Sequence, residues 1–95
     1  MHRLAFVGPL LLAACAAAGT LVHGVTPGHK CDTANTGRFV GQPATSELGA
    51  AIVRETHSAV LRWAPPGVML TMDYREDRVT VRTGPNHQVT AISCG

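Results

Sequence analysis

Arg78-Val79-Thr80-Val81-Arg82, then Gly84-Pro85-Asn86, then Val89-Thr90-Ala91-Ile92-Ser93-Cys94 is the stretch that decides the fold class of this chain. Its first run alternates apolar and polar residues at period 2, which predicts a strand with Val79 and Val81 inward. Gly84-Pro85-Asn86 turns the chain, and the run that follows predicts another strand. Upstream, Ala59-Val60-Leu61-Arg62-Trp63 alternates too, placing Ala59, Leu61 and Trp63 on one face before Pro65-Pro66-Gly67 stops it. Further back the period changes. Leu48, Ala51, Ile52 and Glu55 fall at i, i+3, i+4 and i+7, the spacing of one helix face, with Ala44 extending the apolar stripe. Pro43, then Thr45 or Ser46 as N-cap and Glu47 in the first turn start this helix, and it is expected to end between Glu55 and His57. Gly49 inside it costs about 1 kcal/mol relative to Ala. One helix followed by three strands is the order of a small α+β domain with the helix packed on a sheet.

The connection between the first two strands, Gly67 to Asp77, is about eleven residues, longer than the usual loop, and such loops in compact domains tend to be functional. It also carries Val68, Met69, Leu70, Met72 and Tyr74. So much apolar surface between strands requires a reason.

The first fifteen residues read as a targeting segment rather than part of the fold. Met1-His2-Arg3 is basic, Leu4 to Leu12 is apolar apart from Gly8 and Pro9, and small residues follow. That is the layout of a secretory signal, too short to span a bilayer. Leu12-Ala13-Ala14-Cys15 resembles the bacterial lipobox, in which the thiol is acylated and the chain is cut just before it. On that reading residues 1–14 are a lipoprotein-type signal peptide and Cys15 is the lipid attachment site. The alternative is a plain signal cut near Ala17 or Ala18. Residues 15–30 are small, polar and Gly/Pro-bearing without sustained periodicity, the composition of a flexible tether. The expected localisation is the cell envelope, in the periplasm or at the outer membrane if the host is Gram-negative, and otherwise secreted.

The remaining residues, 31–95, suffice for one small domain. Arg3 leaves with the signal, so the eight basic residues become seven against six acidic ones. A balance so close to even argues against a nucleic-acid surface. A small core usually needs a staple. With Cys15 assigned to lipid, Cys31 and Cys94 remain in an oxidising compartment, which implies one disulfide, the alternative being two free thiols. It would close a loop of roughly 60 residues, for which the chain-entropy estimate is about 4 kcal/mol. Cys31 lies near His29, but no second ligand pair sits at metal spacing, and His2, His23, His57 and His87 are scattered. No nucleophile–base–orienter set assembles either, so neither a metal, nor a cofactor, nor an enzyme is expected.

Val68-Met69-Leu70-Thr71-Met72-Asp73-Tyr74-Arg75-Glu76-Asp77-Arg78-Val79 resembles the reactive-site loop of the potato inhibitor I family, which includes the barley chymotrypsin inhibitor and the leech eglins. Cys31-Asp32, Val40-Gly41, Pro66-Gly67, Thr71-Met72-Asp73, Asp77-Arg78 and Ser93-Cys94-Gly95, taken as an ordered set, resemble the bacterial and fungal peptidase inhibitor family I-seventy-eight, related in fold to the potato group. The resemblance covers Cys31 to Gly95. It implies one helix on a short three-stranded mixed sheet with an extended protease-binding loop, residues 68–77, and a serine endopeptidase as partner. By similarity the inhibitory bond is Met72-Asp73, with Met72 entering an apolar specificity pocket of the elastase, chymotrypsin or subtilisin kind. Leu70 and Thr71 would align with the enzyme as an added strand. Tyr74 would lie on the leaving-group side, and Arg75 belongs to the binding loop as well.

An inhibitor differs from a substrate in rigidity, since a loop fixed in its bound shape avoids much of the ordering cost. The resemblance therefore asks for braces. Arg78 lies five residues after Asp73 and is placed to grip its carboxylate by charge-assisted hydrogen bonds, and the Thr71 hydroxyl anchors the other side of the bond. The potato group commonly has a second Arg two positions after the first. Here that position is Thr80, which supports the loop by hydrogen bonding but cannot span as far or carry charge, and Arg82 is too distant in sequence to replace it. The competing reading is a non-inhibitory envelope lipoprotein that uses the same loop as a docking module. A monomer is expected in either case.

Overall fold

The computed structural model describes residues 22–95. The signal-like segment 1–14, Cys15 and the first part of the tether lie outside the described residues. A 3-10 turn at Gly37–Phe39 leads to α1 (Ser46–Thr56), followed by β1 (Val60–Ala64), β2 (Arg78–Thr83) and β3 (Val89–Cys94). The helix starts where its sequence asks it to: the Thr45 side chain accepts from the Leu48 N–H at 3.1 Å, which satisfies one of the donors a helix start leaves free. It ends at His57, which takes a left-handed conformation (φ 60°) and donates its N–H back to Arg54.

The three strands lie in the order β1-β2-β3. β1 pairs with β2 in parallel, from Val60 opposite Arg78 to Ala64 opposite Arg82. β3 returns antiparallel to β2 and pairs Val79 with Cys94 and Val81 with Ile92. A register shift at Arg82/Thr83 leaves Thr90 unpaired, because Arg82 faces Ala91 and Thr83 faces Val89. That bulge lets Val89 and Ile92, three residues apart and so on opposite faces of a regular strand, both pack toward the core.

The core is small. Ile52 of α1 meets Val79 and Val81 of β2, Val89 and Phe39, with Ala44, Leu48, Ala51 and Leu61 partly buried around them. The expected helix stripe and the inward pair on β2 are thus the residues that pack. Two details differ from the sequence reading. β1 begins and ends one residue later than expected and closes on buried Ala64, while Leu61 and Trp63 keep the shared face assigned to them. Gly49 is buried against that face: a Cβ there would lie 2.9 Å from the Trp63 ring. Its helix-propensity cost is the condition for close helix–sheet approach.

Two further features position the candidate site. Cys31 and Cys94 are disulfide-bonded, with a Cα–Cα distance of 5.6 Å, joining the start of the domain to the end of β3. The tether read from composition is not free of the domain over its described part. Residues 22–30 form two tight turns, closed by Val25 N–H to Val22 O and His29 N–H to Thr26 O, and Gly24 O accepts from the Asp77 N–H at 3.1 Å.

Candidate functional site

The parallel pairing of β1 and β2 creates the loop. Adjacent parallel strands cannot be joined by a tight turn, since the chain must travel back the length of the strand before it re-enters the sheet. Here it returns over residues 65–77 without a helix. The return begins at Pro65-Pro66-Gly67, where Val68 N–H closes a turn onto Pro65 O and Gly67 takes φ +82°. Its middle stands clear of the domain: Met72 is 98 % exposed and Met69 91 %, with Tyr74 also well exposed and Leu70 half-buried. These apolar side chains are held outward and form an exposed strip rather than core.

Beneath the extended strip lies a polar brace on the face of the sheet opposite the core. Thr80 points into it, so β2 is buried on both faces. The Gly95 carbonyl oxygen accepts from Thr80 Oγ1 at 2.9 Å, Arg78 Nε at 3.0 Å and Arg62 Nη2 at 3.5 Å. From that common acceptor the two guanidiniums reach up to the loop on either side of Met72. Arg78 Nη2 donates to the Asp73 carbonyl oxygen at 2.8 Å, and Arg62 Nη1 donates to Thr71 Oγ1 at 3.1 Å. Arg62 Nε also donates to Thr80 Oγ1 at 3.2 Å.

The expected Arg78–Asp73 contact is present, with a different emphasis. Its short bond goes to the backbone carbonyl, and the carboxylate lies at 3.6 Å. A hydrogen bond from the Thr71 side chain, helped by the positive charges of Arg78 and Arg62, holds the Asp73 carboxyl below the usual carboxylate range. Tyr74 lies against Gly95, close enough that a Cβ on that glycine would meet its ring at 3.0 Å.

Arg62 is the residue that the sequence reading missed. Only one arginine was expected to brace the loop, because position 80 holds Thr. The register places Arg62 directly opposite Thr80, so a guanidinium reaches the loop from the neighbouring strand. Its polar place in an otherwise apolar strand, Leu61-Arg62-Trp63, was the available signal.

Arg75, expected in the binding loop, is turned inward. Its guanidinium donates to both Asp77 carboxylate oxygens, at 3.0 and 3.1 Å, and its side chain is 26 % exposed. Asp77 is fully buried and also accepts from Thr26 Oγ1 at 2.6 Å. The Arg75 and Thr26 hydrogen bonds hold its carboxyl down at about 2. A carboxyl lowered from an ordinary 3.8 contributes its stabilisation in full above that value and loses it as pH falls toward about 2. Among the described residues, no group of three or more His, Cys, Asp or Glu side chains could hold a metal ion.

Comparison with known proteins agrees with this fold. The chain is similar to the solved structure of the elastase inhibitor AFUEI (crystal form II), at 27 % identity and TM-score 0.51, over 62 % of this chain and 81 % of that one. No curated protein sequence matches. The sequence profile of the peptidase inhibitor I78 family matches residues 31–95. That span runs from the first disulfide cysteine through helix, loop and brace to Gly95, and the chain belongs to the peptidase inhibitor I78 family.

Proposed function

We propose that this protein inhibits serine endopeptidases of the elastase, subtilisin or chymotrypsin type by presenting residues 68–77 as a substrate, with Met72-Asp73 as the inhibitory bond. The observation that carries this reading is the pairing of an almost fully exposed Met72 with a brace that grips the residues on both sides of it, Thr71 through Arg62 and Asp73 through Arg78. An unbranched, polarizable Met side chain suits a medium-sized apolar pocket, whereas a trypsin-like pocket would demand Lys or Arg. Leu70 and Thr71 would pair with the protease as an added strand, with backbone hydrogen bonds supplying much of the affinity. Family membership makes the chain a binding protein rather than an enzyme.

The chemistry of inhibition follows from the brace. Attack of the protease serine on the Met72 carbonyl carbon forms an ester and breaks the Met72–Asp73 C–N bond. The Asp73 nitrogen takes the proton delivered by the protease's histidine and becomes a free amine. In an ordinary substrate that amine diffuses away. Here Arg78 holds the Asp73 carbonyl against Gly95, so the amine stays beside the ester, attacks it, and re-forms the peptide bond as the serine recovers its hydroxyl. Pre-organisation favours this return in the way intramolecularity favours any bimolecular step.

The test is a protease panel with mass analysis of the complexes. Stoichiometric inhibition of elastase or subtilisin is expected, with any cleavage located after Met72 and inhibition weakened by Met72→Gly in a domain that stays folded. Absence of inhibition across such a panel would leave the loop as a docking surface. The proposal extends to export and lipid anchoring through Cys15, which rests on Leu12-Ala13-Ala14-Cys15. Cys15→Ala is expected to move the protein out of membrane fractions, and retention in them would remove the anchor.

A further inference from the structure

The loop has a second contact set that the brace around Gly95 does not explain. On the leaving-group side, the chain descends through Arg75, Glu76 and Asp77 alongside residues 24–31. Gly24 O accepts from the Asp77 N–H at 3.1 Å, and Glu76 O accepts from the Cys31 N–H at 2.8 Å. Thr26 Oγ1 closes on the Asp77 carboxylate, whose two oxygens Arg75 already engages. Asp77 O accepts from the N–H groups of Ala59 and Val60, so one buried residue joins the N-terminal arm, the loop and the start of β1. Gly24 is fitted to this place: it is buried at φ +79°, and a Cβ on it would meet Arg75 Cγ at 3.1 Å and Arg75 Cα at 3.3 Å. The arm precedes the stretch that matches the inhibitor family, which begins at residue 31.

We propose that residues 22–29 are a clamp on the leaving-group half of the loop, in which Thr26 and Gly24 fix Asp77 and Arg75 and so act as positioning residues for inhibition. The inference rests on the inhibitor reading for its consequence, and on the arm's own contacts for its geometry. The Arg78 grip holds Asp73 itself. The clamp holds the segment two to four residues further on, so that a freed Asp73 amine belongs to a strip fixed at both of its ends. Loss of the clamp leaves Asp73 tied at one end only, and the cleaved strip can swing away before the bond re-forms. Arg75 is also withheld from the protease, so the arm decides that this cation contributes to loop rigidity and not to contact with the enzyme. The bond from Thr26 is made to a charged, desolvated acceptor, the kind of hydrogen bond whose loss is felt most.

The experiment uses the mature, disulfide-intact protein with Thr26→Val, which removes the hydroxyl at nearly constant shape, with Thr26→Ser as rescue and Gly24→Ala as an independent second variant. Amide exchange is followed at Asp77 and at Ile92, and the rate of cleavage after Met72 is followed with subtilisin. Thr26→Val and Gly24→Ala are expected to speed exchange at Asp77 by about tenfold, the effect of losing one hydrogen bond to a charged group, while Ile92 exchanges as in the parent. Cleavage is expected to rise by a similar factor, and Thr26→Ser to restore both. Parent-like exchange at Asp77 overturns the clamp, and so does a rise shared equally by Ile92, which would mark Thr26 as a contributor to global stability alone. Faster exchange at Asp77 with unaltered cleavage overturns its role in inhibition. A parent that inhibits no protease removes the inhibitor reading instead, and exchange at Asp77 then decides the clamp by itself.

Discussion

Arg62 joins three things that are distant in sequence: Thr71 on the loop, Thr80 on β2 and the Gly95 carbonyl. A guanidinium suits this place because its planar fork offers several donors in fixed directions, whereas a Lys ammonium is one flexible point. Arg62→Ala is expected to convert the inhibitor into a faster substrate, with cleavage after Met72 accelerated by about tenfold, and Arg62→Lys to recover only part of the loss. Mass analysis of a timed digest separates these outcomes, and equal cleavage in Arg62→Ala and parent would rule the second arm of the brace out. The sequence showed the first arm, since Asp73 and Arg78 are five residues apart and linked by the loop itself. It hid the second, because an arginine opposite Thr80 is found only through the parallel register of β1 on β2. Asp77 was obscured in the same way. Its partner Thr26 sits in a stretch whose composition reads as tether, and composition does not show that arm folding back onto it.

Helix α1 shows how an element was legible while the reason for one of its residues was not. The cap at Thr45, the stripe of Leu48, Ala51 and Ile52 and the end near His57 follow from spacing and side-chain chemistry, which are local. Gly49 looked like a flaw because propensity is also local, and the Trp63 ring that needs the space arrives from another element. Gly49→Ala therefore sets two effects against each other. Ala favours the helix by about 1 kcal/mol, while a Cβ 2.9 Å from the ring must displace Trp63 or spread helix from sheet, and overpacking of this kind costs about 1–3 kcal/mol. The contact should prevail, with a net destabilisation of up to about 2 kcal/mol in denaturant unfolding. Trp63 is the sole tryptophan, so a shift in its fluorescence would accompany the change. A more stable Gly49→Ala variant with unshifted emission would show that the ring yields freely. The loop was likewise legible as an element, from its length and the apolar residues it carries. Its cause, the long return that a parallel pair imposes, appears only once the strand directions are known.

At the scale of the whole molecule, the Cys31–Cys94 disulfide ties the two ends of the domain beneath the loop, and its neighbours make it more than a stability device. Cys94 directly precedes Gly95, whose carbonyl collects Thr80, Arg78 and Arg62. Cys31 donates its N–H to Glu76 O on the descending side of the loop. The disulfide thus fixes both the acceptor on which the brace converges and the strip that the loop descends through. Two effects should separate on its removal. The bridge spans a sequence separation of 63, and a closure of that size is worth up to about 4 kcal/mol through the unfolded chain. A purely entropic staple acts on the unfolded state and leaves the folded loop as rigid as before, whereas a frame for the brace also loosens the folded loop. The double variant Cys31→Ser, Cys94→Ser, studied at a temperature where it remains folded, is therefore expected to lose up to about 4 kcal/mol of stability and to be cleaved after Met72 faster than the parent. The increase should exceed what its population of unfolded molecules explains. Single-turnover cleavage across a range of denaturant concentrations makes the distinction. A rate that falls to the parental value when extrapolated to zero denaturant would confine the disulfide to stability, whereas a raised intercept places it in the machinery that keeps the loop from being consumed.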